Sequence, residues 1–555
     1  MLNFIRRSSF LAAAAIVACG GGDSDPTSAK IPGEGIAAID TAMLMHHIAV
    51  LASDSLMGRA PGTPGEEKTS AYVEAQFSGM GLKPGNPDGT YIQKVPLVGI
   101  TVTNSPTMTF AKGGTRTSLQ WRDDFVAWTK HVSPSASLRN SELVFVGYGV
   151  EAPEFGWDDF KGVDLKGKTM VVLVNDPPVV DTAVFGGARM TYYGRWTYKF
   201  EEAERQGAVG ALIVHTTERA GYPWHTVVGS WAKEQRMLPR DPALPKPLGF
   251  EGWITDTAAA AMLKQAGLDL DTLCTDAESR AFTPVPTGIT LDVSFTNTVQ
   301  HLESANVIGL VRGRDARLKH EYVMLSAHWD HLGIGPPVNG DSIYNGAEDN
   351  ASGVADVLAI ARVMAQGPKP KRTTVFAFVT AEESGLLGSQ YLAENPVVPT
   401  EEIVADLNLD GGNVLGRTRD LTVLGDTKSS LGPQLAAAIK PGGMRIAPDD
   451  FPERGYFYRS DHFSFAKAGV PSVSIGAGND FIGRPPGWGV RQDEDYTAHR
   501  YHQPSDAYRP DFDLSGAVQL SNVVLAFARQ LATEPNWPTW NRDAEFRRPA
   551  RKKIM

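Results

Sequence analysis

The stretch "TTVFAFVTAEESGLLGS", residues 373–389, decides how this chain is read. Its apolar run up to Val379 is near-continuous, as in a strand buried on both faces of a parallel sheet. It then stops on two adjacent carboxylates, Glu382 and Glu383. Three further segments share this texture: "EYVMLSAHWD" (321–330), "EIVADLNLD" (402–410) and "VPSVSIG" (470–476). Between them lies "ASGVADVLAIARVMAQG", with Val354, Val357, Leu358, Ala361 and Met364 on one helical face and Gly367–Pro368 as its stop. The pattern predicts an α/β fold in three layers, helix–sheet–helix, around a mixed or mostly parallel sheet.

Ligands of open α/β sheets gather outside the carboxyl ends of the strands. Here those ends carry His328-Trp329-Asp330, Glu382-Glu383 and Asp410. Asp349 precedes the Val354 helix within "GAEDNASG", and "YHQPSD" adds Tyr501 and His502. His328, Asp349, Glu383, Asp410 and His502 are too many ligands for one catalytic zinc, which keeps three protein ligands and an open position. They suit two metals about 3.5–4 Å apart sharing one carboxylate. Asp349 is the natural bridge, with His328 and Asp410 on one metal and Glu383 and His502 on the other. Consecutive residues leaving a strand diverge, so Glu383 coordinates while Glu382 stays free to move a proton. Asp330 is placed to accept the free N–H of a metal-bound His328.

These segments, "SAHWDHLG", "GAEDNASGVA", "TAEESGLLGS", "NLDGG" and "YHQPSD", resemble in order and spacing the di-zinc aminopeptidase family. Glutamate carboxypeptidase II, the transferrin receptor and the glutaminyl cyclases belong to that same family. The likeness covers about 36–124 and 305–531. It implies two zinc ions (manganese or cobalt also fits oxygen-rich sites) and peptide substrates cut at the N-terminus. It also implies the five metal ligands above, Glu382 as general base and Tyr501 as donor to the oxyanion. A cis peptide at Asp349–Asn350 and pocket roles for Arg459 and Asp461, from "YRSDHF", follow from it as well. Two alternatives stay open: a carboxypeptidase or dipeptidase of the same fold, and a receptor-like binder without catalysis.

The remaining sequence sets domains and address. With 555 residues, more than one domain is expected. Residues 1–19 read as a signal peptide: Arg6 and Arg7, an apolar segment from Phe10 to Ala18, then a lipobox-like "IVAC" ending on Cys19. Residues 20–36 suit a flexible tether. An exported lipoprotein follows, periplasmic or outer-membrane-anchored, touching membrane only through a lipid on Cys19. Residues 37–140 and 290–534 read as the catalytic domain. Short strands separated by Gly-rich turns from 141 to 289 resemble a protease-associated domain inserted into it. Residues 535–555 form a basic tail expected to be solvated. The net charge of −10 argues against a nucleic-acid partner. Cys274, the one cysteine besides Cys19, leaves the mature chain no internal disulfide. Oligomeric state has no signature here. Among the other histidines, His331, His462 and His499 lie beside ligand segments, and His46–His47 read as ordinary helix residues. "GTPGEE" predicts a capping box, with Thr63 at the N-cap and Glu66 three residues on.

Overall fold

Two sheets share one strand. The computed structural model describes residues 38–550 except 179–183, 188, 242, 244–245 and 543. Cys19, the leader and the tether, together with residues 551–555, therefore lie outside the described residues. The catalytic sheet is built from β1 (Ile92–Val102), β2 (Val285–Val311), β3 (Tyr322–His328), β4 (Thr373–Val379), β5 (Ile403–Asn408), β6 (Asp420–Leu424), β7 (Arg445–Ala447) and β8 (Ser472–Ala477). The spatial order is β1–β2–β4–β3–β5–β8–β6–β7. The centre, β4–β3–β5–β8, is parallel, while β2 and β6 run antiparallel to their neighbours in that centre. Every residue of β4 and β5 is buried, which is why their sequences carry no polar alternation.

Helices cover both faces. On one lie α1 (Thr41–Leu51), α2 (Pro64–Gly79), α3 (Gly353–Gln366) and, near the C-terminus, Ser515–Leu531; their apolar faces join the strands in the largest core. On the other, Leu387–Glu394 and His462–Lys467 enclose a smaller core around Met324, Val375 and Phe465. The five periodic positions predicted on α3 are all buried. Truncating a central one, Leu358→Ala, would cost about 2–5 kcal/mol.

The second sheet belongs to the insert, and it starts earlier than composition suggests. Its order is Thr115–Leu119, Thr107–Lys112, the first half of β2, Ser135–Phe145, Thr169–Leu173, Gly210–His215, Phe250–Thr255 and Phe125–Trp128. Residues 107–140 thus join the insert's sheet, and position 141 falls inside a strand. Alternating residues there look the same whichever sheet they serve. β2 is 27 residues long and continues from the insert's sheet into the catalytic one. The insert also returns the short strand Gln235–Met237 to the free edge of β1.

Three local expectations are corrected. Thr63 is the N-cap of α2, but its hydroxyl donates to the Ala60 carbonyl (2.7 Å) instead of capping the helix. Glu66 accepts from the Gly62 amide (2.5 Å) and the Ser304 hydroxyl (2.9 Å), tying the helix start to β2. The basic tail is docked as far as it is described: Lys428 pairs with Glu545 at 2.9 Å, and Arg548 donates to the carbonyls of Ile403 and Val404 at 2.6 and 2.7 Å. No helix among the described residues is long and apolar enough to cross a membrane.

Candidate metal centre

The carboxyl ends of β3, β4 and β5 bring the ligand residues together. His328 is the last residue of β3 and is 1 % exposed. Its Nε2 lies 3.2 Å from Asp349 Oδ1 and 3.1 Å from Asp410 Oδ1. On the other side His502 Nε2 lies 3.3 Å from Asp349 Oδ2 and 3.0 Å from Glu383 Oε2. Asp349 therefore turns one oxygen to each histidine, as the bridging position requires. The peptide Asp349–Asn350 is cis.

These separations test the fit of a metal directly. Ligand atoms about 2.0–2.1 Å from a tetrahedral zinc are about 3.3 Å from one another. The four contacts above match that edge length, and the donors are imidazole and carboxylate, as zinc prefers. Carboxylates crowded around two histidines favour a cation between them. The residues fit two zinc ions.

Electrostatics give the same picture. Burial disfavours a protonated His328, yet Asp410 and Glu382 raise its pKa well above the ordinary value. Burial likewise opposes charge on Glu383, but His502 and His331 hold its pKa low. Glu382 is the opposite case: burial first, then Asp410, Glu383 and Asp461, push its pKa up. A carboxylate whose proton affinity is raised in this way is suited to accept a proton.

Surrounding residues fix this geometry. Asp330 does not take the expected role at hydrogen-bond distance: its Oδ1 is 3.7 Å from His328 Nδ1, which instead faces the Asp330 carbonyl at 3.1 Å. The Asp330 carboxylate accepts the backbone amides of Glu382 (3.1 Å) and Glu383 (3.4 Å), so it aims the acid pair. His331 Nδ1 sits 2.8 Å from Glu383 Oε1, and His331, Asp349 and Glu383 form a second group of mutually close donors. His502 faces both carboxylates, whereas His331 pairs with Glu383. Asp506, part of "YHQPSD" and overlooked in the sequence, accepts the amides of Glu348 (2.9 Å) and Asp349 (3.1 Å) and the Tyr496 hydroxyl (3.2 Å). Its signal was the H-x-x-x-D spacing after His502.

The other candidates separate. The Tyr501 ring stacks on His502 at 3.8 Å and is 46 % exposed, at the open side. Asp461 is fully buried with neither oxygen hydrogen-bonded among the described residues; burial, then Asp410 and Asp330, raise its pKa to about 7. Arg459 lies over the rings of Tyr222 from the insert (5.8 Å) and Tyr456 (5.2 Å). His462 is a neutral core residue against Phe457 (4.8 Å), its pKa lowered to about 3 by burial. His499 is exposed and pairs with Asp495 at 3.1 Å. His47 bonds Tyr72 at 2.6 Å within the core.

A helix-covered mixed sheet thus places one carboxylate between two histidine-led donor sets. Residues 306–528 match the model of Peptidase family M28. Over 231 residues the chain is 28% identical to the probable lipoprotein aminopeptidase LpqL of Mycobacterium tuberculosis, covering 39% of this chain and 43% of that protein. It is 33% identical to a vacuolar membrane protease of Candida dubliniensis over 124 residues, 22% of this chain and 12% of that protein. The chain thus spans less than half the length of these curated relatives. An aminopeptidase from Aneurinibacillus sp. strain AM-1 shares the fold with a TM-score of 0.50 at 22% identity, over 90% of this chain and 95% of that one.

Proposed function

We propose that this protein is an exported two-zinc aminopeptidase that removes N-terminal residues from peptides. The observation that carries the reading is the pair of donor sets meeting at Asp349, with Glu382 left outside both. His328 and Asp410 would hold one zinc, His502 and Glu383 the other, and Asp349 both. Zinc bound there supplies a Lewis acid and a water acidic enough to ionise near neutral pH. Glu382, its amide fixed by Asp330, would accept a proton on its carboxylate and pass it to the leaving amine. Tyr501 donates its hydroxyl hydrogen to the carbonyl oxygen as negative charge builds there, a contribution of about 3–4 kcal/mol for such donors. The surrounding carboxylates favour a substrate's free α-ammonium group. We read Arg459 and Asp461 as lining the substrate side of this pocket. The insert is read as a protease-associated domain, and Cys19 as the lipid-bearing residue of a periplasmic or outer-membrane lipoprotein.

The test is hydrolysis of aminoacyl chromogens by purified protein, before and after chelation and with zinc restored. Activity that survives complete metal removal rejects the reading. Peptides blocked at either end separate amino- from carboxypeptidase action.

A further inference from the structure

Arg59 is a buried cation surrounded by acids and paired with none. It is 1 % exposed. Its Nε donates to the Trp329 carbonyl (2.8 Å), Nη1 to those of Leu51 (2.7 Å) and Asn345 (2.5 Å), and Nη2 to that of Gly346 (2.9 Å). Trp329 separates His328 from Asp330, and Asn345–Gly346 lead into Asp349. A single planar group therefore ties the loop of the first ligand to the loop of the shared one. The backbone is threaded just as tightly. A Cβ on Gly58 would fall 2.5 Å from the carbonyl oxygens of both Gly333 and Tyr344, and Arg59 itself holds a φ of +53°.

The charge of Arg59 faces Asp506, Asp349, Asp330 and Glu383, yet no ion pair joins it to any carboxylate among the described residues. Arg372 shows the ordinary alternative. It too is fully buried, at the amino end of β4, but its Nε pairs with Glu321 at 2.7 Å while Nη1 holds the Leu531 carbonyl at 2.7 Å. Near Arg59, Asp349 and Glu383 instead face the histidines of the metal positions, while Asp330 and Asp506 accept backbone amides.

We infer that Arg59 is a positioning residue of the metal centre. Its guanidinium fork sets the separation of the His328 and Asp349 loops, and its unpaired charge lets the crowded carboxylates stand together. The inference rests on the two-zinc reading above.

Wild type, Arg59→Lys, Arg59→Gln and Arg372→Lys are compared by zinc competition against a chromogenic chelator and by Tm with and without chelator, alongside kcat and KM. Lysine keeps the charge but not the fork; glutamine keeps donors without the charge. Both Arg59 variants are expected to bind zinc about 10–100-fold more weakly, the range for groups that orient metal ligands. Folding that becomes zinc-dependent in either variant also supports the role. Arg372→Lys should lower Tm equally in both conditions and leave zinc affinity within about twofold of wild type. The inference falls if the Arg59 variants keep wild-type zinc affinity, if Arg372→Lys weakens zinc as much, or if neither Arg59 variant folds in saturating zinc. Wild type that binds no zinc overturns the two-zinc reading itself, a separate result.

Discussion

The two sheets bury ionisable groups for opposite purposes. In the insert, Asp159, Asp176, Lys199 and Glu251 each have a direct partner. Asp159 accepts from Trp157 Nε1 (2.8 Å) and the Val150 amide (3.0 Å), and Asp176 from the Thr191 amide (2.6 Å) and hydroxyl (2.7 Å). Lys199 donates to the carbonyls of Tyr148 (2.6 Å) and Asn175 (3.1 Å), and Lys130 pairs with Glu251 at 2.6 Å. At the carboxyl end of the catalytic sheet, His328, Asp349, Asp410, Glu383 and His502 instead face one another. Asp330 and Asp506 sit in that same end but behave like the insert's acids, since each takes two backbone amides. Acids that accept amides hold the scaffold; acids that meet only other ligands are arranged for a cation.

Substitutions can break or sharpen this division. The largest effect is expected for Glu382→Gln, with kcat down about 10²–10⁴-fold and both zinc ions retained by elemental analysis. Loss of zinc in this variant would place Glu382 among the ligands. Asp330→Asn removes the acceptor of one of the two amides, and kcat should fall about 10–100-fold with metal content nearly unchanged. Lys199→Met should act on stability alone: leaving Asp159 and Asp176 without their buried cation costs about 3–5 kcal/mol in denaturant unfolding, with kcat/KM unaltered in the folded fraction. A further effect is a pH dependence. Asp356 on α3 accepts from Ser521 at 2.7 Å, its other oxygen has no hydrogen-bond partner among the described residues, and burial raises its pKa to about 8. The folded state then binds the proton more tightly than the unfolded one, so its contribution is greatest below about pH 4 and is lost as pH rises towards 8. In Asp356→Asn, Tm measured across that range should lose this part of its decline.

Much of the catalytic half could be read from the chain alone. β3, β4 and β5 are buried on both faces, so their apolar runs stood out and placed His328, Glu383 and Asp410 at strand ends. The shared Asp349 followed from ligand arithmetic. Arg59 could not be found that way, because a single arginine in "MGRAPG" has no periodicity and works through backbone carbonyls that any sequence provides. Asp506 was inside a quoted motif, but its task is to hold two amides, which composition does not reveal. The insert's start was misplaced because its first strands alternate like those of an exposed catalytic edge. The tail was misjudged because its positive charges drew attention from Phe546, which packs beside Phe457 and Phe463.

The strand β2 has a thermal consequence. Because its two halves are registered in different sheets, melting either sheet strips an interior strand from the other. The insert and the catalytic half should therefore lose their structure together, as one calorimetric peak whose van't Hoff and measured enthalpies agree.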